Sequence, residues 1–428
     1  MFLGMGLIVI VIWRQYRIWS IPDVEPFDRE AFYSQYSEVN NNIEPFREAH
    51  RMLEEVKRKP QLSDSVEQAF NYEEWTALRS TEGWVDRRFS AECRPALEKW
   101  LSGGDAGVVL IVNPPQFDKQ ANVELWTETH EFVILANMEC SLLLSEGKPG
   151  KALELFRKML RSLSRFRSAY SVQSGYRLFS LQLGRILRSP ELTVEEIRTF
   201  QKELRELTPD LINLSEMVKS CHLMLEKHLE DYLQEHQVAS TIIGESEAGL
   251  RILKLITANW LEYCDRPLEN LTRMRIHACM GDSTGFVQYL REQGIEIPGF
   301  APGQNQQCRI SYFENPNIEE NLVDQVHSLA YSRDLLGGYF SSMSMLLSDQ
   351  QDIFRMVKQD EIRLALYGFY REQGRFPDKL EELVPDWFAE TPGFYVLENR
   401  GDDCLLKPIK GSLHSGRNTV PIKKPMER

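Results

Sequence analysis

Positive charge is in short supply. Lys and Arg number 50 against 63 Asp and Glu, leaving a net charge of −13. That balance excludes a general nucleic-acid binder, which needs clustered cations to meet phosphates. Paired cysteines are missing too. The seven cysteines, at 93, 140, 221, 264, 279, 308 and 404, are scattered and include no Cys-x-x-Cys. An odd count without tight spacing excludes a disulfide framework and a cysteine zinc site, so these residues read as small apolar side chains on helices. Phosphate-binding glycine loops, dinucleotide fingerprints and EF-hand loops are also lacking. No His-Glu-x-x-His stands in the chain, because Ile134 occupies the place of the second histidine after His130-Glu131. Asn213-Leu-Ser and Asn270-Leu-Thr are sequons by pattern alone.

Apolar residues make up 42% and charged residues 26%, which supports a large buried core and excludes wholesale disorder. Residues 1–13 carry no charge. As a helix they span roughly 20 Å against a hydrocarbon core of about 30 Å. Extension to Ile21 brings in Arg14 and Arg17, placed to snorkel, and Trp13, Tyr16 and Trp19, which suit a membrane interface. No small-residue cleavage site follows, so residues 1–21 are expected to be an uncleaved anchor, with a basic leader expected upstream of Met1.

Beyond Pro22 the pattern is mostly helical. Ile43 to Val56 follows the 3.6 period, with Asn40 to Asn42 as caps and Pro45 in the first turn. Cys93 to Leu101 is a helix stopped by Gly103-Gly104, and Gly107 to Val112 is a strand candidate. Residues 121–166 form a helical hairpin turning at Gly147 to Gly150. There Cys140, Gly147, Ala152 and Phe156 are spaced as in one tetratricopeptide unit, without a second copy. Thr193 and Glu196 have capping-box spacing. A helix break is expected at Thr208-Pro209, followed by a heptad seam of Leu211, Leu214, Val218, Cys221, Leu225, His228 and Tyr232. Helices are expected over 247–263 and near 268–280. Pro298, Pro302, Pro316, Gly299 and Gly303 mark 296–317 as a linker. A long helix then leads to Gln373, and a hairpin turns at Asn399 to Asp403, with the tail from Gly401 expected to fray at its end.

Three arrangements invite a chemical reading. Gly244-Glu-Ser-Glu-Ala248 is close to a nucleophile elbow, but Ala248 stands where a second glycine is needed and no alternation of strands and helices surrounds it. Ser246 as a helix cap explains the same residues. His222 and Glu226 share a helix face, as do His228 and His236, yet no repeated Glu-x-x-His completes a bundle metal site, so no metal ligand, cofactor or catalytic residue is assigned. Leu155 to Pro190 holds Arg157, Lys158, Arg161, Arg165, Arg167, Arg177, Arg185 and Arg188 and no acid. Its functional reading is a site for an anionic partner or lipid headgroup built on Arg157, Arg161, Arg165 and Arg177. Its structural reading pairs it with the acid-rich segment 191–235.

Tyr370 to Pro385, Tyr-Arg-Glu-Gln-Gly-Arg-Phe-Pro-Asp-Lys-Leu-Glu-Glu-Leu-Val-Pro, resembles a segment of uncharacterised membrane-anchored helical proteins of planctomycete-type bacteria. In looser form it resembles type II secretion pseudopilins. Asn42 to Ala49, Leu97-Glu-Lys-Trp-Leu101, Leu143 to Gly147 and Ala152 to Leu155 are similar to other parts of the first group. After Pro392 the chain has Gly-Phe-Tyr where the pattern has Asp-Pro-Phe, and its anchor lacks the pilin glutamate. The resemblance implies an envelope location and no catalytic residues.

The expected fold is mainly α: an irregular helical bundle of hairpins with an N-terminal membrane anchor and a small C-terminal helix-plus-β-hairpin module. The expected segments are 1–21, anchor; 22–120, N-terminal helices; 121–295, central bundle; 296–317, linker; and 318–428, long helix and α+β module. The expected function is a non-enzymatic scaffold or protein-interaction module of a bacterial envelope, with a membrane and a protein as partners. A pseudopilin-related accessory of secretion or surface assembly is the second reading and a hydrolase the third.

Overall fold

Helix-stop and helix-start signals divide the chain into elements that the computed structural model describes over residues 12–13, 16, 18–35, 44–70, 87–105, 119–165, 176, 180–235, 244–264, 266, 274–279, 308–313, 333–409 and 419–425. The helices are α1 (Arg29–Ser34), α2 (Glu44–Lys57), α3 (Ser63–Phe70), α4 (Arg87–Ser102), α5 (Lys119–Ser145), α6 (Pro149–Ser164), α7 (Val194–Leu211), α8 (Leu214–Glu235), α9 (Glu245–Cys264) and α10 (Arg333–Gln373). Strands β1 (Met274–Cys279) and β2 (Cys308–Phe313) form an antiparallel pair running from Met274 opposite Phe313 to Cys279 opposite Cys308. Strands β3 (Tyr395–Asn399), β4 (Asp403–Pro408) and β5 (Val420–Lys423) form an antiparallel sheet in the order β3-β4-β5. The protein is thus mainly helical, with a small three-stranded sheet near its C-terminus.

The chain folds into two compact units, each built from distant segments. The first comprises Met1–Gln35, Val112–Lys119 and Leu214–Ser348. Its core is the packed pair α8 and α9, with Val218, Leu225, Ile252, Ile256 and Trp260 buried. Ile18, Ile21 and Phe32 are buried as well. The second comprises Tyr36–Ile111, Gln120–Asn213 and Asp349–Arg428. One apolar cluster runs through it from Phe46 on α2 to Ile422 on β5. At its heart Trp100 stacks on Phe132 with centroids 4.4 Å apart and meets the edge of Phe46 at 4.6 Å, the offset and T-shaped contacts that aromatic quadrupoles favour.

Local signals explain several joints. Gly147 (φ 67°) turns the hairpin between α5 and α6, a conformation that costs glycine little. Buried Cys140 donates its thiol to the Ala152 carbonyl across that hairpin. Thr193 and Glu196 form the expected capping box at the start of α7. Gly103 and Gly104 do more than stop α4. A Cβ at Gly103 would lie 2.5 Å from the Phe46 ring, and one at Gly104 2.9 Å from the Ser162 backbone nitrogen.

Four expectations change. The helix break does not fall at Thr208-Pro209, because α7 runs through Pro209 to Leu211. Pro209 withholds the donor that would meet the Arg205 carbonyl, and the helix ends two residues later at Leu211. The helix near 268–280 is replaced by β1, where Met274-Arg-Ile-His-Ala-Cys alternates with period two. The 296–317 linker contains β2. The tail adds an unexpected strand, β5, which pairs with β4 from Asp403 opposite Lys423 to Leu406 opposite Val420, while its end, expected to fray, lies outside the described residues. The strand candidate at 107–112 lies outside the described residues, as do residues 1–11 of the expected anchor. No helix among the described residues is long and apolar enough to cross a membrane.

The C-terminal motif works as a set of packing devices. Gly374 (φ 70°) ends α10, its N–H donating to the Tyr370 carbonyl at 2.8 Å, as a left-handed cap does. Phe376 is buried against the rings of Tyr367 and Tyr370. After Pro377 the chain makes a single 3-10 turn, Leu380–Leu383. Gly368 lets Trp387 lie against α10, since a Cβ there would fall 1.8 Å from the indole. The motif's Arg371 donates from Nε to the Leu192 carbonyl (2.7 Å) and from Nη2 to the carbonyls of Leu187 (2.8 Å) and Ser189 (2.7 Å). It thereby closes the carbonyl end of helical residues 180–187. Arg371→Lys keeps the charge but offers one nitrogen in place of three, and is expected to lower the unfolding free energy by about 2–4 kcal/mol. Arg400→Lys, on an exposed turn, is expected to cost under about 0.5 kcal/mol. Urea titrations followed by circular dichroism compare the two.

Candidate functional site

Several arginines of the basic island are engaged by other elements of the fold, while Lys158 is exposed and pairs with Glu154 on its own helix. Arg157 and Arg161, one turn apart on α6, each donate to a different carboxylate oxygen of Glu203 on α7, which is 8% exposed. This is the pairing with segment 191–235 expected from the sequence. Two guanidinia on one carboxylate form a charge-assisted fork whose members orient one another. Arg165 donates from Nε to the Gly104 carbonyl at 2.9 Å. Arg188 donates to the Gly184 carbonyl at 3.3 Å, and Arg185 to the Ser141 hydroxyl at 3.4 Å. Arg161 keeps 38% of its side chain exposed, so part of this face still meets solvent. Arg177, the fourth residue of the anion-binding reading, lies outside the described residues.

Ser246 sits in the first turn of α9 and is exposed. It is not the cap residue. Gly244 (φ 69°) precedes the helix and its carbonyl accepts from Ala248. Among the later histidines, His277 lies on β1, while His327 and His414 fall outside the described residues.

His222 and Glu226 do share a face of α8, and they meet an arginine there. Arg29 on α1 donates from Nη1 and Nη2 to both oxygens of Glu226, at 2.6 and 2.7 Å. Thr257 on α9 donates its hydroxyl to the Leu253 carbonyl at 2.9 Å. Its oxygen therefore accepts from His222 Nδ1, 2.8 Å away. That leaves the Nε2 lone pair facing Arg29 Nη2 at 3.5 Å. Burial and the adjacent Arg29 and Lys254 charges push the His222 pKa down to about 3. The imidazole is thus a neutral buried wedge with both nitrogens engaged.

A third cluster escaped the sequence reading. Asp360 on α10, fully buried, accepts from Arg363 (2.8 Å), Ser180 (3.0 Å) and Tyr176 (3.2 Å). Desolvation raises its pKa against the opposing pull of these donors. Arg363 also donates to the Ser180 carbonyl at 2.9 Å. Arg363 stands three residues from Asp360, but Tyr176 and Ser180 lie 184 and 180 residues away, so no local spacing announces them. In each of the three clusters the charges close on internal partners, an arrangement that fixes helices against one another.

One surface stands apart. Residues 12, 13, 16, 18 and 19 are helical, and of these Trp13, Tyr16 and Trp19 are exposed by 50%, 73% and 75%, as is Ile12. Ile18 and Ile21 are buried in the first unit. Arg251 on α9 donates to the carbonyls of Ile18 and Ile21 at 3.2 Å each, and Lys254 pairs with Glu25 at 3.1 Å. The aromatic face is thus held to α9 by hydrogen bonds and burial. Comparison with protein-family models, with curated proteins and with solved structures finds no match to this chain.

The neutral state of His222 makes stability depend on pH. Unfolding frees the ring to titrate at its ordinary 6.5, so the unfolded chain binds the extra proton between about 6.5 and about 3. Stability from this group is complete above the ordinary value and falls as the pH drops through that window. At pH 4.5 the loss is expected to be about 2–3 kcal/mol relative to pH 7. His222→Gln removes that part of the pH dependence. Urea midpoints of both proteins at the two pH values measure the difference.

Proposed function

We propose that this chain is a membrane-anchored helical scaffold of a bacterial cell envelope, acting as a protein-interaction module rather than an enzyme. Residues 1–21 are its membrane contact, and the helical body offers its surface to a protein partner. The carrying observation is the exposed row of Trp13, Tyr16 and Trp19 above buried Ile18 and Ile21. Rings three residues apart on a helix suit the headgroup level of a bilayer, where an apolar body and a polar tip are both accommodated. Arg251 on α9 holds the Ile18 and Ile21 carbonyls beside that row. The closure of the described charged clusters on internal partners agrees with a packing role for those residues. The resemblance of Tyr370 to Pro385 to planctomycete-type anchored proteins agrees with an envelope location.

Crosslinking in native membranes followed by mass spectrometry tests the scaffold. A reproducible protein partner is expected; recovery of none sinks the reading, and recovery of secretion or surface-assembly components favours the pseudopilin-related role instead. The anchor has its own check. Burying one aromatic ring contributes about 1.5–3 kcal/mol, so replacing Trp13, Tyr16 and Trp19 with serine is expected to weaken vesicle partition by at least about tenfold. Co-sedimentation with phospholipid vesicles reads this, and an unchanged bound fraction removes these rings from membrane contact.

A further inference from the structure

The second unit holds a mixed nitrogen and oxygen cluster that the proposed function does not use. His50 and Glu54 stand one turn apart on α2, and Glu131 faces them from α5. One ligand atom from each lies within 4.8 Å of the others. Lys57, one turn beyond Glu54, donates to Glu54 Oε1 at 2.8 Å and to Glu131 Oε1 at 2.5 Å. The second oxygen of Glu131 is buried and receives no hydrogen bond. Two carboxylates are therefore held together by a single ammonium, with the buried Glu131 Oε2 left unmet. A buried anionic oxygen without a donor is costly, and such an atom calls for an ion or other cation to meet it.

We propose that His50, Glu54 and Glu131 form a binding site for a divalent transition-metal ion of the Zn2+ class, with Lys57 holding the two carboxylates together when no metal is bound. The ligand chemistry favours that class. An imidazole beside two carboxylates suits Zn2+ and its first-row neighbours, whereas Mg2+ and Ca2+ prefer oxygen alone. Three protein ligands from two helices leave a coordination position for water or another ligand. The His-x-x-x-Glu spacing places two donors on one side of α2, and α5 supplies the third, as helical bundles build metal sites from facing helices. Lys57 is the internal competitor. Its ammonium lies 5.0 Å from the centre of the Phe70 ring, a cation–π contact that can hold it once the carboxylates turn to a metal.

The test uses the full chain stripped of metal with a chelator. Co2+ titration followed by visible absorption is expected to show saturable binding at a single site, and Zn2+ is expected to displace the Co2+. His50→Ala and Glu131→Gln should each weaken binding by more than about 100-fold. Lys57→Met should strengthen it about tenfold, because the competing charge is gone. Circular dichroism confirms that each variant is folded; if Glu131→Gln is not, His50→Ala and Lys57→Met decide. The proposal is overturned if neither the natural chain nor Lys57→Met takes up metal saturably. It is equally overturned if uptake persists unchanged in His50→Ala, which assigns the ion to other side chains.

Discussion

A buried guanidinium needs acceptors, and Arg371 finds them in backbone carbonyls. Its bonds to Leu187, Ser189 and Leu192 draw the end of one helical segment and the connection that follows it onto α10. Burial depresses its pKa, yet a guanidinium stays charged in proteins, so the charge must be met by dipoles. Around this clamp the rest of the second unit finds its register. Tyr367, one turn earlier and pushed up to about 12 by burial, donates to the Lys423 carbonyl on β5 at 2.8 Å. Phe376 fills the space beside Tyr367 and Tyr370. Trp387 lies where Gly368 has no side chain. Arg198 and Arg205 of α7 then reach the Asp386 and Trp387 carbonyls at 3.0 and 2.7 Å.

The same economy governs the other charges. Glu203 takes two arginines, Glu226 takes both arms of Arg29, and Asp360 takes Arg363 with two hydroxyl donors. An acidic chain with a basic island need not present either charge to a partner. Helices that carry opposite charges at facing positions gain orientation from the pairing even where the net stabilisation is small. The His50, Glu54 and Glu131 group departs from this pattern, because its carboxylates outnumber the cation between them.

Helices were legible wherever a period of 3.6 met a cap. The α5–α6 hairpin, the capping box at Thr193, helix α9 and the cap at Gly374 follow from local spacing. So does the hairpin of β3 and β4, whose Asn399 to Asp403 turn carries Gly401 at φ 87°. Strands β1, β2 and β5 were not legible. Each pairs with its partner across a long intervening segment, without the short turn signal that announces β3 and β4. The sites divide in the same way. His222 with Glu226 is visible as an i, i+4 pair, but Arg29 and Thr257 arrive by tertiary folding. The approach of Tyr176 and Ser180 to Asp360, and of Glu131 to His50, is likewise a product of packing that no spacing encodes.

The cluster that begins at Phe46 closes only when Cys404, Leu406 and Ile422 join it. A ribosome delivers these side chains in the reverse order of need. Trp100 and Phe132 emerge while the residues that complete their cluster are still untranslated, so synthesis passes through a long interval with apolar helix faces uncovered. Folding of the second unit is therefore governed by late, long-range closure.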